Sequence, residues 1–153
     1  MKTSLLILTA LATASLTAAA GPIEDQIRFR QSAYSFISWN AAKIKAQVVD
    51  KPDTFNAQQV QAAANAIAAA ANAGLGALYG PGTDEGVGWK ASRLKPEYFQ
   101  RPEAARQVGL EFNRAANELA RVASSGDREL IKLQYQSLSK TCKSCHDSFR
   151  TRE

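Results

Sequence analysis

Apolar side chains recur every three to four residues through four separate stretches of this chain, and none of its five prolines falls inside one of them. That spacing lines the apolar residues of each stretch along one face of an α-helix. Proline lacks an amide proton and clashes with the preceding turn, so it is kept to helix ends. The first stretch, residues 23–49, carries Ile23, Ile27, Arg30, Tyr34, Ile37, Ala41, Ile44 and Val48, a heptad seam with one charge in it. The second, residues 56–78, repeats the spacing with Val60, Ala64, Ile67, Ala71, Gly74 and Leu78, and Asn56 is placed to cap its first turn. Nine of the thirteen residues 61–73 are alanine, which either admits another helix closely or simply favours helix formation. The third runs through Ala105, Val108, Phe112, Ala115, Leu119 and Val122 and stops at Ser124-Ser125-Gly126. The fourth starts at Asp127 and follows Ile131, Tyr135, Leu138, Cys142, Cys145 and Phe149, a seam that turns both cysteines towards the core. Such seams, with a short link between the third and fourth, predict an all-α fold: an antiparallel, left-handed four-helix bundle. Residues 79–102, with Gly80-Pro81-Gly82, Gly86 and Gly88, break the pattern and predict a long loop of the kind that serves a site or is mobile.

A chain of 153 residues, 45% hydrophobic and 22% charged, is enough for one core and too little for two ordinary domains. Nineteen basic residues against fourteen acidic give +5 with no basic run, which does not point to nucleic acid. Residues 1–20 read as a signal peptide: Lys2, an apolar segment at residues 5–11, then Ala18-Ala19-Ala20 before Gly21, with cleavage expected after Ala20. The apolar segment is too short and too rich in Ser and Thr to anchor the chain in a bilayer. Residues 21–153 are then a single exported domain, with no membrane-spanning segment expected.

The chemistry is concentrated near the C-terminus. Cys142-Lys143-Ser144-Cys145-His146 has the C-x-x-C-H spacing of covalent haem attachment. On a helix, residues i and i+3 share a face, so two thiols reach two vinyl groups along one porphyrin edge while the adjacent imidazole reaches the iron. Two cysteines and one histidine scattered at random would fall into this order and spacing about once in ten thousand arrangements. A Cys142–Cys145 dithiol would belong in a βαβ setting, which is absent, and a structural zinc site would need a fourth ligand. The chain holds one histidine and one methionine, and the methionine is Met1. No second strong axial donor of the usual kind therefore remains for the iron, which predicts a five-coordinate haem with His146 on one side and an open position on the other.

The opposite wall is legible in part. Arg30 lies on the core seam of the first helix, where a charge needs an anion; a haem propionate is one candidate, and pairing with Glu24, Asp25 or Glu85, or escape to solvent, are the others. Gln31 is placed to share a propionate contact. Tyr34, one turn on, either covers the open iron face or packs in the core. Arg150, four residues after His146, either lies beside the proximal ring or complements the helix C-terminus.

At these residues the chain resembles the cytochromes c prime, exported bacterial four-helix bundles with haem c near the C-terminus. The motifs that carry the resemblance are Arg30-Gln31-Ser32-Ala33, Tyr79-Gly80-Pro81-Gly82-Thr83, and Cys142-Lys143-Ser144-Cys145-His146-Asp147 with Arg150. The resemblance implies one haem c per chain, thioethers at Cys142 and Cys145, His146 as proximal ligand, and Arg30 and Gln31 on the propionate side. It further implies Tyr34 at the distal position, Val87 at the haem edge, and a homodimer built on the first two helices. The chain departs from some members in having Gly74 and Gly76 before the Gly-Pro-Gly turn and a longer segment at residues 87–98. It has no Met in the seam of residues 23–48, where a related low-spin group places its sixth ligand.

Two functions follow as expectations for a periplasmic protein. One is uptake of nitric oxide or carbon monoxide at the covered distal face, with the capacity to exchange electrons. The other is an electron-transfer module with a six-coordinate haem, in which Lys140, Lys143, Arg150 and Arg152 steer an acidic redox partner, unless those residues are simply solvated. A peroxidase needs a distal acid–base partner, and the one histidine is already assigned, so no enzyme is expected.

Overall fold

The computed structural model describes residues 22–152. The signal peptide assigned to residues 1–20 lies outside them. The four seams form long helices: α1 (Ile23–Lys45), α2 (Ala57–Ala71), α4 (Pro102–Ala123) and α5 (Arg128–Phe149), with a one-turn helix α3 (Glu97–Gln100) in the long connection. Helix starts follow local chemistry. The Asn56 side chain accepts a hydrogen bond from the Gln59 amide, Asp127 accepts from the Glu129 and Leu130 amides, and Pro102 opens α4, where a missing amide proton costs nothing.

Two boundaries differ from the expectation. The first stretch leaves α-helical geometry after Lys45 and closes with a wider π-type turn, Ala46–Asp50. The second ends at Ala71, seven residues short of the predicted end, because the chain turns through Asn72 into Gly74 at φ +74°, and Leu75–Leu78 continue as a separate 3₁₀ turn. Apolar spacing persisted across that break while the backbone did not, since a left-handed glycine stops a helix whatever its neighbours bury. The segment at residues 79–101 is also less plain than a loop: it holds α3, and its end is tied to α5 by Lys95 N–H donating to Phe149 O (2.9 Å) and Thr151 N–H donating to Arg93 O (2.9 Å).

Neighbouring long helices run antiparallel around the bundle. Asn113 Nδ2 donates to Ala71 O (3.1 Å) at the end of α2, while a Cβ placed on Gly126, after α4, would lie 3.6 Å from Ala57 Cβ at the start of α2. The thiols late in α5 lie within electrostatic reach of Tyr34, halfway along α1. Among the described residues no helix is long and apolar enough to cross a membrane.

The packed core occupies one half of this bundle. It joins Ile37, Ile44 and Val48 of the first stretch to Val60, Ala64 and Ile67 of α2, Ala116 and Leu119 of α4, and Ile131 and Leu138 of α5. At about 25 cal/mol per Å² this apolar burial is the main favourable term in folding. In the other half, beyond Leu138, Ile27 and Phe149 stay buried, but tyrosines and thiols share the inner wall with them. The cysteines lie there, so they are half-buried rather than in the core as their seam positions implied.

Candidate haem site

The last two turns of α5 carry the reactive groups. Cys142 and Cys145 stand one turn apart, both half-buried and not joined to each other. Burial pushes both thiols above their ordinary pKa, so they are neutral sulfhydryls rather than thiolates. His146 follows directly and is exposed. Its imidazole is held below its usual pKa, first by burial and then by the charges of Arg150 and Arg93, which leaves a neutral ring at pH 7. Arg150 Nη1 lies 3.4 Å from His146 Nε2. A cleft of about 200 Å³ beside the ring is lined by Arg93, His146, Asp147, Arg150, Thr151 and Arg152. Lys143 pairs with the Asp147 carboxylate, and Lys95 Nζ donates to Asp147 O (3.1 Å).

This donor set fits haem c. Two uncommitted thiols lie on one helix face with a neutral imidazole beside them, and among the described residues no three His, Cys, Asp or Glu side chains converge as ligands of a single ion. Cys142 and Cys145 are suited to a porphyrin edge, and His146 to an iron that already has its four ring nitrogens.

Arg30 forms the opposite wall, 7% exposed, and within the protein it pairs with none of Glu24, Asp25 and Glu85 and does not escape to solvent. Its guanidinium donates to Leu78 O (3.0 Å), Thr83 Oγ1 (3.0 Å), Thr83 O (2.7 Å) and Ser92 Oγ (3.0 Å), every one a neutral oxygen. Asp25 pairs with Arg28 instead, at 2.6 Å. Arg30 also stacks over Tyr79, 4.7 Å from its ring centroid, and burial pulls the guanidinium pKa down. Gln31 is likewise occupied: its Nε2 donates to Lys90 O (2.8 Å), and its Oε1 accepts from the Trp89 and Lys90 amides (2.8 and 3.2 Å). In the structure, then, both residues clamp residues 78–92 onto α1.

Tyr34 is half-buried on the inner face of α1, its ring 6.3 Å from that of Phe112, within electrostatic reach of both thiols and of Arg30. The fold thus brings Arg30, Tyr34, Cys142 and Cys145 to one end of the bundle, with His146 and Arg150 on its rim. Val87 is 58% exposed in the loop, where it bridges to Ala91. Reasoning from spacing missed Tyr79, Tyr98, Thr83 and Arg93. Thr83 is fully buried and its hydroxyl donates to Gly80 O (2.8 Å), so the Gly-Pro-Gly-Thr motif was its signal. For Tyr98 and Arg93 nothing local marked the role.

Comparison with known proteins bears on all of this. Residues 25–150 match the cytochrome C′ family. Cytochrome c′ of Allochromatium vinosum is 47% identical over 142 residues, covering 93% of this chain and 90% of that protein. The Rhodocyclus tenuis protein is 43% identical over 130 residues, covering 85% and 96%. Among solved structures, a cytochrome c′ described as having an unusual ligand-controlled dimer dissociation superposes with a TM-score of 0.80 at 48% identity, covering 86% of this chain and 98% of that one. These match a four-helix bundle with a C-x-x-C-H segment at its open end, and the chain belongs to the cytochrome c′ family of haem proteins.

Proposed function

We propose that this chain carries one covalent haem c and binds nitric oxide or carbon monoxide on the side of the ring facing α1. Cys142 and Cys145 would hold the group by thioethers and His146 would face its iron. Bound there, haem supplies an iron that takes a diatomic ligand and changes oxidation state. The observation that carries the reading is that the inner wall opposite the thiols presents Tyr34, in a chain whose one histidine is His146 and whose one methionine is Met1. A phenol kept neutral by burial is a poor ligand and a good cover: it closes the face to water yet yields to a small molecule. Arg30, Gln31 and Arg150 supply positive charge and donors around the ring's edge. With no second histidine to move a proton on that face, the protein is a carrier rather than an enzyme. The leader-like residues 1–20 support export to the periplasm.

Visible spectra of the purified protein, ferric and dithionite-reduced, with and without carbon monoxide, test this. A high-spin spectrum that shifts with the gas is expected. A low-spin spectrum indifferent to carbon monoxide overturns it. Cys142→Ala and Cys145→Ala variants should each release haem more readily under denaturation than wild type.

A second reading is favoured by the charge beside His146. Arg93, Arg150 and Arg152 line one cleft, with Lys143 nearby and Lys140 exposed on α5, so an acidic redox partner has a surface to dock on. Lys140→Glu with Lys143→Glu should slow reduction by such a partner at low salt; an unchanged rate counts against docking there.

The outer face of α1 supports a homodimer. Phe29, Phe36 and Trp39 form an exposed aromatic stripe, 61%, 48% and 57% accessible, next to Trp89 at 68%. Contiguous exposed aromatics of this kind mark association surfaces. The relative with ligand-controlled dimer dissociation makes a second copy of the chain the partner of choice.

A further inference from the structure

Helix α5 does not fray after Phe149. Arg150 leaves helical geometry for extended backbone, φ −124° and ψ 132°, and forms an antiparallel bridge with Leu94 of the long connection. The two bonds of that bridge flank the pair: Thr151 N–H donates to Arg93 O (2.9 Å), and Lys95 N–H donates to Phe149 O (2.9 Å). Leu94 and Arg150 are thus a non-hydrogen-bonded pair, the kind whose side chains lie closest. Side chains repeat both ties. The Arg93 guanidinium donates twice to Thr151 O, from Nε at 3.1 Å and from Nη2 at 2.6 Å, and Lys95 Nζ donates to Asp147 O at 3.1 Å. The strap is in turn anchored to α1, since the Leu94 amide donates to Ser92 Oγ (3.4 Å), which accepts from Arg30 (3.0 Å).

What this strap holds is the residue beside the imidazole. The Arg150 amide donates to His146 O (3.1 Å), and Arg150 Nη1 lies 3.4 Å from His146 Nε2. A long, exposed side chain keeps such a place only where the backbone that carries it is fixed, because its rotamer freedom works against any single position. We infer that Arg93 is a positioning residue for the haem iron: by gripping Thr151 it fixes the extended backbone at Arg150, and with it the distance of the Arg150 charge from His146. A positive charge held beside the proximal imidazole favours ferrous over ferric iron, because reduction removes one positive charge from its neighbourhood. The reduction potential is then set in part by a side chain whose bonds are to Thr151, three residues beyond Ser148 and outside the helix. The inference rests on His146 facing the iron, and the experiment separates the two.

Haem-loaded wild type, Arg150→Gln, Arg93→Met and the double variant Arg93→Met/Arg150→Gln are poised with redox mediators at one fixed potential, and the ferrous-to-ferric ratio is read from the visible spectrum. Arg150→Gln should lower the ratio about tenfold, which is 59 mV for one electron. Arg93→Met removes both the grip and a nearby charge. It should lower the ratio about tenfold in the wild-type background and only about threefold, the share of its own charge, in the Arg150→Gln background. Equal shifts in the two backgrounds overturn the inference, because Arg93 then acts without Arg150. An unshifted Arg150→Gln overturns it as well, since no charge is left for the strap to place. A His146→Gly variant with wild-type spectrum and potential takes down the assignment of His146 to the iron, and the inference with it. A crystal structure of haem-loaded Arg93→Met gives a readout independent of potential. The Arg150 guanidinium is expected in a displaced position or in more than one, and an unmoved guanidinium overturns the inference.

Discussion

Arg30 is a buried cation answered by neutral oxygens. Desolvating a guanidinium is costly, and four hydrogen bonds with a stacked aromatic ring are one way to offset it without a carboxylate. Its acceptors keep other partners, since Thr83 Oγ1 donates to Gly80 O and Ser92 Oγ donates to Thr83 O. Arg30→Met should therefore lower stability by about 3 kcal/mol in urea unfolding, and Arg30→Lys should recover less than half, because one ammonium does not span the fork. The tyrosines add a pH dependence. Burial is the main cause that raises the phenols of Tyr34, Tyr79 and Tyr98 above their ordinary pKa. Folding thus favours their neutral forms. That contribution is whole below about pH 10, where the unfolded phenol titrates, and is lost as pH rises from there through the folded values. Melting temperature should fall with pH above 10 in the wild type, and fall less steeply in Tyr79→Phe. His146 and the thiols were readable from sequence because their relation is local; the partners of Arg30 were not, since they lie 48 to 62 residues away.

At the scale of elements, helix starts and the ends of α4 and α5 were legible, and the ends of α1 and α2 were not. Asn56 and Asp127 act within three residues, through a side chain that accepts nearby amide protons, so a short window contains the whole cause. The end of α2 depends on Gly74 adopting φ +74°, a choice that apolar spacing through Leu78 did not reveal. The long connection gains its order from α1. A Cβ on Gly88 would sit 2.8 Å from the Arg28 amide nitrogen and 2.9 Å from Ile27 Cγ2, so only glycine lets the loop lie against the helix backbone. Around it, Trp89 Nε1 donates to Ser32 Oγ (2.8 Å) and Arg28 lies over the indole at 5.3 Å. Gly88→Ala should cost about 2 kcal/mol through overpacking and speed tryptic cleavage after Lys90, with helical content unchanged by circular dichroism.

At the scale of the molecule, the bundle divides its length between stability and function. One half is packed with Ile, Val, Leu and Ala, while the other sets tyrosines, thiols and one arginine beside the buried Ile27 and Phe149. The outer face of α1 joins this division to assembly, because the helix that carries Arg30 and Tyr34 inward carries Phe29, Phe36 and Trp39 outward. Phe36→Glu with Trp39→Glu should convert a dimer to monomers in sedimentation velocity at micromolar concentration without loss of helicity. A wild type that sediments as a monomer at every concentration would remove the dimer from the account.

What the sequence determined by itself was whatever acts over a few residues: four amphipathic helices from their spacing, two caps from their side chains, and two thiols beside an imidazole from the pitch of one helix. Tertiary structure alone decided which end of the bundle mixes polar groups into its core, which oxygens answer Arg30, and that Tyr79 and Tyr98 stand near Arg30. Those arrangements join segments from α1, the turn after α2, α3 and α5. Closing the bundle brings these segments together, and no periodicity along the chain records a contact made across it.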